Sequence, residues 1–133
     1  REYRKYLKRL NVNYMTNSFK TKYDSETRKQ ESDKIKIKYP NRYPIIISKG
    51  NKCELSNIDK TKFLIPGDLT MGQIIFIVRK RIKLDDTDSL FLFINDKILP
   101  ASSSVISSVY NDHKDEDGFL YITYCNENVF GSK

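Results

Sequence analysis

The sequence predicts an α+β domain in which one mixed sheet wraps around a helix. Three observations lead there. Two short β-branched runs lie close together, "RYPIIIS" at Arg42–Ser48 and "KFLI" at Lys62–Ile65. A strongly patterned helix follows directly in "DLTMGQIIFIVRKRIKL". Two further apolar runs, "SLFLFIND" and "GFLYITY", flank a short segment with helical spacing. The order is therefore β-β-α-β-β-α-β, and 133 residues are enough for one such domain with a real core.

Each element has its own reason. Residues Ser25 to Lys38 are highly charged, with Ile35 and Ile37 as the main apolar positions, and Pro40 stops them, so they read as a surface helix. Pro44 places the start or an edge of the first strand near itself, because proline cannot donate to a ladder. Pro66 and Gly67 end the second strand. In the long helix, Thr70 and Gln73 fit a capping box, and Met71, Ile74, Ile75, Val78 and Ile82 repeat at helical spacing, with Gly72 a small cost. The unbroken "SLFLFIND" run is expected to be a central strand covered on both faces, turning at Asn95 and Asp96 into a short return strand "KIL". After Pro100 the serines are expected to cap a short helix holding Val105, Ile106, Val109 and Tyr110, and "GFLYITY" is the last strand. The sheet thus has four to five strands. Its core comes from nine tyrosines, seven phenylalanines and many isoleucines.

Composition excludes several classes of function. No apolar run approaches the ~18 residues that span a bilayer. "REYRKYLKRL" has neither an apolar stretch behind it nor a small-residue cleavage site, which argues against a secretory signal. Cys53 and Cys125 are far apart in sequence, lack metal-ligand spacing and give weak grounds for a disulfide, so a reducing, cytosolic compartment is expected. Cys125 reads as a buried small hydrophobe and His113 as a surface residue. With no glycine-rich phosphate loop and no metal cluster, neither a catalytic residue nor a cofactor is assigned, and the chain is not expected to be an enzyme. The net charge of +7 is concentrated in residues 1 to 42. Such a face suits a nucleic acid, an acidic protein segment or an anionic membrane.

Residues 1–24 form a basic extension with Tyr3, Tyr6, Leu7 and Leu10 at helical spacing. Residues 1–14 fit a native extension, the remnant of a longer protein or an added fusion segment equally well. Interleaved tyrosines and cations there suit RNA stacking or an anionic membrane surface. A solvated segment is the plainer reading, and nucleic acid is the least favoured partner.

The runs "KIKIKYPNRYPIII", "DKTKFLIPGDLTMGQIIFIVRKRIKL", "LFLFINDKILP" and "KDEDGFLYITYCNENVFG", in that order, closely resemble the GABARAP and light-chain-3 family of ubiquitin-like autophagy modifiers. The resemblance covers Phe19 to Gly131 and implies the ubiquitin-like β-grasp fold, with additional N-terminal helices. On this basis residues 25–131 are the ubiquitin-like domain and 132–133 a C-terminal propeptide. Ser25 departs from the apolar or aromatic residue usual at the start of the second helix, so weaker docking of that helix is expected. One extra residue in the serine stretch 102–108 and the loop "SKGNKCELSN" also depart.

The resemblance implies that a dedicated cysteine protease recognises Phe130 and cleaves between Gly131 and Ser132. Activating and conjugating enzymes would then join Gly131 to phosphatidylethanolamine, and the protein would be cytoplasmic until lipidation brought it to autophagosomal or related membranes. The chemistry agrees: a tail threading a narrow enzyme cleft needs a residue without a Cβ. Taken alone, a terminal glycine reads as a frayed end. The edge strand "TKFLIP" offers unpaired backbone groups to which a partner adds a strand. The resemblance sets Glu31, Ile35, Pro44, Ile46, Lys62, Leu64 and Phe119 around a first pocket, for an aromatic side chain. It sets Arg42, Phe63, Ile65, Pro66, Leu69, Ile74 and Ile77 around a second, for an aliphatic one. Lys60, Lys62 and Arg81 would meet acidic flanks of this aromatic-x-x-aliphatic motif, carried by autophagy receptors. Without the resemblance, the apolar residues read as core and the lysines as guards against edge aggregation.

Overall fold

The computed structural model describes residues 18–127. The basic segment 1–17 and residues 128–133, with Phe130, Gly131 and Ser132, lie outside the described residues. The elements are α1 (Ser18–Lys22), α2 (Ser25–Lys38), β1 (Arg42–Lys49), β2 (Lys62–Pro66), α3 (Met71–Ile82), β3 (Phe91–Ile94), α4 (Ile106–His113) and β4 (Leu120–Cys125). Four strands form one sheet in the order β2-β1-β4-β3. β1 runs parallel to β4 from Ile45↔Leu120 to Lys49↔Tyr124, and the outer pairs are antiparallel. This is the β-grasp arrangement.

The register explains the sequence runs. Ile45 and Ile47 of β1, with Leu120, Ile122 and Tyr124 of β4, pack against Met71, Ile74, Val78 and Ile82 of α3. Alternation sends Ile46 and Tyr121 to the opposite face, where with Phe119 they meet Ile35 of α2 and Phe19 of α1. A third cluster on that face joins Phe93, Cys125 and Cys53. Both faces are covered, so the central strands read as unbroken apolar runs. Ile47 N–H donates to Thr61 at 2.8 Å. By alternation Pro44 directs its missing donor toward β4, just before pairing with β4 begins at Ile45.

The capping box of α3 forms: Thr70 Oγ1 accepts from Gln73 N–H at 3.2 Å, and Gln73 Oε1 accepts from Thr70 N–H at 2.9 Å. Asn95 and Asp96 take φ of 54° and 61°, the left-handed pair of a tight hairpin turn. Three expectations need correction. "KIL" makes one isolated bridge, Ile94↔Ile98, and no strand, so the sheet stops at four. β3 is an edge strand; it is apolar throughout because Phe93 is covered by Cys53 and Leu55 from the β1–β2 loop. The serines do not cap α4: Val105 is its N-cap and makes no side-chain bond. Instead Ile106 and Ser107 N–H donate to the carbonyls of Leu69 and Gly67, while Met71 and Gly72 N–H donate to Ser104 and Ser102. The two helix starts are satisfied by each other's approach loops, a long-range solution to the orphan N–H donors of helix N-termini.

α2 matches its expected span, but its docking is polar. Ile37 is 82% exposed, and only Ser32 and Ile35 are buried. Arg28 instead forms an ion pair with Asp117 whose side chains are 11% and 2% exposed. Asp117 also accepts from Tyr121 O–H and from Phe119 N–H, and its carbonyl accepts from Ser32 O–H. Lys20 of α1 pairs with Asp115 at 2.8 Å. Asp24 supplies the cap, accepting from Thr27 N–H at 2.8 Å, and Phe19 stacks edge-on against Phe119 at 5.0 Å. Ser25 is exposed, and α2 is held instead through Arg28, Ser32 and Ile35.

Gly118 sits at φ +91°, and a Cβ there would collide with Ser32 Oγ and stand 2.9 Å from Ser32 Cβ. Gly118→Ala should cost about 2–4 kcal/mol in urea unfolding, combining backbone strain and overpacking. Gly72→Ala is the control: its Cβ would meet nothing closer than 3.4 Å. That substitution should be neutral or stabilise by up to about 1 kcal/mol.

Burial pushes the Tyr110 and Tyr124 phenols up to about 12, against about 10 in an unfolded chain. A raised folded-state value means that the stability they supply is complete below about pH 10 and lost as pH rises toward about 12. Urea midpoints across that window should fall, and Tyr110→Phe should fall less steeply although it is weaker at neutral pH.

Candidate functional site

β2 is the open edge of the sheet. Its register with β1 pairs Phe63 with Ile45 and Ile65 with Tyr43, so Lys62 and Leu64 turn their backbone groups outward. The Leu64 carbonyl already accepts from Arg42 Nη1 at 3.0 Å. An added strand would find the Lys62 groups and the Leu64 N–H, with Arg42 to displace or to pair around.

The two sides of β2 lead to different places. On the α2 side, Leu64 joins Ile35, Ile46 and Phe119 in one apolar cluster. Pro44 lies opposite Leu64 across the ladder. Ile46 and Phe119 are fully buried, and the Lys62–Glu31 ion pair spans from β2 to α2. The first pocket's residues are thus together, under cover. On the α3 side, Phe63, Ile65 and Ile74 belong to the main core with Leu69 packed on them. Ile77, Pro66 and Leu69 are half-buried and Arg42 is exposed. Ile74 is a floor and offers no surface of its own.

The cations are already engaged. Lys60 Nζ and Arg81 Cζ stand 5.1 and 5.3 Å from the centre of the Phe63 ring. Arg81 also pairs with Asp59 at 2.9 Å. Both of its contacts are exposed or at the rim, where such interactions are weak and exchangeable. The sequence named Lys60 and Arg81 as cations at this edge but gave no sign of their shared seat on Phe63. No local pattern links residues on a loop, a strand and a helix. It also missed Phe19, whose ring helps roof the first cluster.

Among the described residues no group of His, Cys, Asp or Glu is arranged to hold a metal, and no helix is long and apolar enough to cross a membrane. His113 is half-buried at the end of α4, where its carbonyl accepts from Asn95 Nδ2 at 3.4 Å.

A β-grasp sheet with an open β2 edge, covered on one face by two N-terminal helices, defines a ubiquitin-like fold. Comparison with known proteins narrows the class. The family model described as "Autophagy protein Atg8 ubiquitin like" matches residues 27–131. The chain is 53% identical over 114 residues to autophagy-related protein 8e of Arabidopsis thaliana, covering 86% of this chain and 93% of that one. It is 49% identical over 118 residues to autophagy-related protein 8 of Schizosaccharomyces pombe, covering 89% and 97%. The crystal structure of Trypanosoma brucei ATG8 superimposes with a TM-score of 0.78 at 39% identity, covering 84% of this chain and 95% of that one. The chain belongs to the Atg8 family of ubiquitin-like autophagy proteins.

Proposed function

We propose that this protein is processed to expose Gly131, joined through it to phosphatidylethanolamine, and used on autophagosomal membranes to recruit receptors carrying acidic aromatic-x-x-aliphatic segments. It is cytoplasmic before lipidation and has no catalytic role of its own. The observation that carries the docking half is the open β2 edge, with apolar clusters on both sides and Lys60, Lys62 and Arg81 along it. Support for the tail comes from the family match, which runs through residue 131. Two acyl chains at about 0.8 kcal/mol per buried CH₂ anchor a soluble domain where one chain binds only marginally. A cysteine protease and the activating and conjugating enzymes are the partners this chemistry requires.

Incubation with an Atg8-processing protease and the conjugation enzymes, followed by mass spectrometry, tests the tail. Loss of Ser132 and Lys133 and then gain of one phospholipid is expected, with Gly131→Ala blocking the gain. An unchanged mass would leave a non-conjugated adaptor that keeps only the docking edge.

The edge has its own test in the affinity for an acidic aromatic-x-x-aliphatic peptide. Lys62→Ala with Leu64→Ala should weaken it by at least about tenfold, since one apolar contact and one charge pair are lost. Glu31→Gln frees Lys62 from its partner and should strengthen binding by up to about fivefold. Equal affinities in all three proteins would move the docking surface elsewhere.

A further inference from the structure

Seventy residues of chain separate the two cysteines in round numbers, yet the fold brings them together. Gly50 N–H donates to Tyr124 O at 2.9 Å, which fixes the end of β1 beside the end of β4. Cys53 N–H then donates to Gly50 O at 3.2 Å, folding the loop back over that point. A Cβ placed on Gly50 would lie 3.9 Å from the Cβ atoms of both Cys53 and Cys125. The two thiols also share one acceptor: Asn126 Oδ1 lies 3.7 Å from Cys53 Sγ and 3.8 Å from Cys125 Sγ. Phe93 completes the cluster, and both thiols are free.

We propose that Cys53 and Cys125 are a redox pair that closes into a reversible intramolecular disulfide under a peroxide. A bridge needs Cβ atoms about 3.5–4.5 Å apart. The two backbone bonds at Gly50 hold one partner on a loop and the other at the end of a central strand, so closure asks only the loop to shift. Both cysteines are 7% exposed, so an opening of the 51–61 loop, which lies outside any helix or strand, is what admits the peroxide to Cys53. Its sulfur attacks one peroxide oxygen; the S–O bond forms as the O–O bond breaks, leaving a sulfenic acid and one water from hydrogen peroxide. Cys125 sulfur then attacks that sulfur, the S–S bond forms, and the S–O bond breaks to release a second water carrying the remaining proton. Two thiols lose two electrons and the peroxide gains them.

The consequence is local and specific. Cys125 is the last residue of β4, and the tail bearing Gly131 begins just after it. The bridge would tie the β1–β2 loop to the root of that tail. Burial pushes the Cys125 thiol up, so closure at neutral pH is slow and quickens as pH rises.

The test uses the native full chain and hydrogen peroxide, with an exposed thiol peptide as internal control. Intact mass should fall by two hydrogens, both thiols should disappear from titration after denaturation, and one linked pair of Cys53 and Cys125 peptides should be recovered. A dithiol reductant should restore the original mass. Cys53→Ser should keep the Cys125 thiol or carry it to oxygen adducts, without losing two hydrogens. If the control peptide oxidises while both protein thiols persist, the proposal fails. It fails equally if the products are only sulfinic acids or disulfide-linked dimers.

Discussion

A buried ion pair between Arg28 and Asp117 seats α2 against the turn before β4. Burial alone would drive the Arg28 charge off, yet the hydrogen bonds and charges of Asp117 and Tyr121 outweigh it and the guanidinium holds its proton more firmly than usual. Burial also holds the Tyr121 phenol neutral, reinforced by Asp117. A pair this dry gains little over two well-packed apolar residues, but breaking it strands a charge at about 3–5 kcal/mol. Its effect is therefore to select one seating for α2 rather than to add stability. Around it, Ser32 closes on the Asp117 carbonyl and Gly118 gives up its side chain so that Ser32 can reach.

That seating also sets the cover beside the open β2 edge. Glu31, Ser32 and Ile35 lie three, four and seven residues after Arg28, on one face of one helix. Arg28 and Ser32 bind the turn before β4, Ile35 enters the cluster under β1, and Glu31 pairs with Lys62 at the open edge. A displacement of α2 moves all four at once. The cover over the first apolar cluster is thus positioned from the turn before β4, across β1 from the open edge.

The same face shows what a sequence can and cannot reveal. A stripe made of arginine, glutamate, serine and one isoleucine has no apolar period, so α2 reads as a bare surface helix; the partners of Arg28 and Ser32 lie 89 and 85 positions away. Local chemistry was legible: the Thr70–Gln73 box, the Asn95–Asp96 turn and the period of α3 each lie within a few residues. Long-range substitutions were not. Backbone carbonyls of Leu69 and Gly67 serve α4 where serine hydroxyls were expected, and a loop cysteine covers β3 where a neighbouring strand was expected. At the β2 edge, family resemblance supplied the residue sets; the structure adds that the first set is roofed and that the cations have partners.

Those partners separate two kinds of ion pair by exposure. Arg28–Asp117 is sealed, so exchanging its partner would strand a charge, and α2 stays where it is. Lys62–Glu31 and Arg81–Asp59 are open to water, with side chains from about a third to two thirds exposed. Exposed pairs are each worth about 0.2–1 kcal/mol, and an incoming carboxylate replaces the one it displaces almost evenly. The edge can therefore trade its own acids for those of a ligand without loosening the fold. For the proposed peptide, affinity would then come from backbone pairing on Lys62 and Leu64 and from apolar burial beside them, while the charges would choose which peptide arrives.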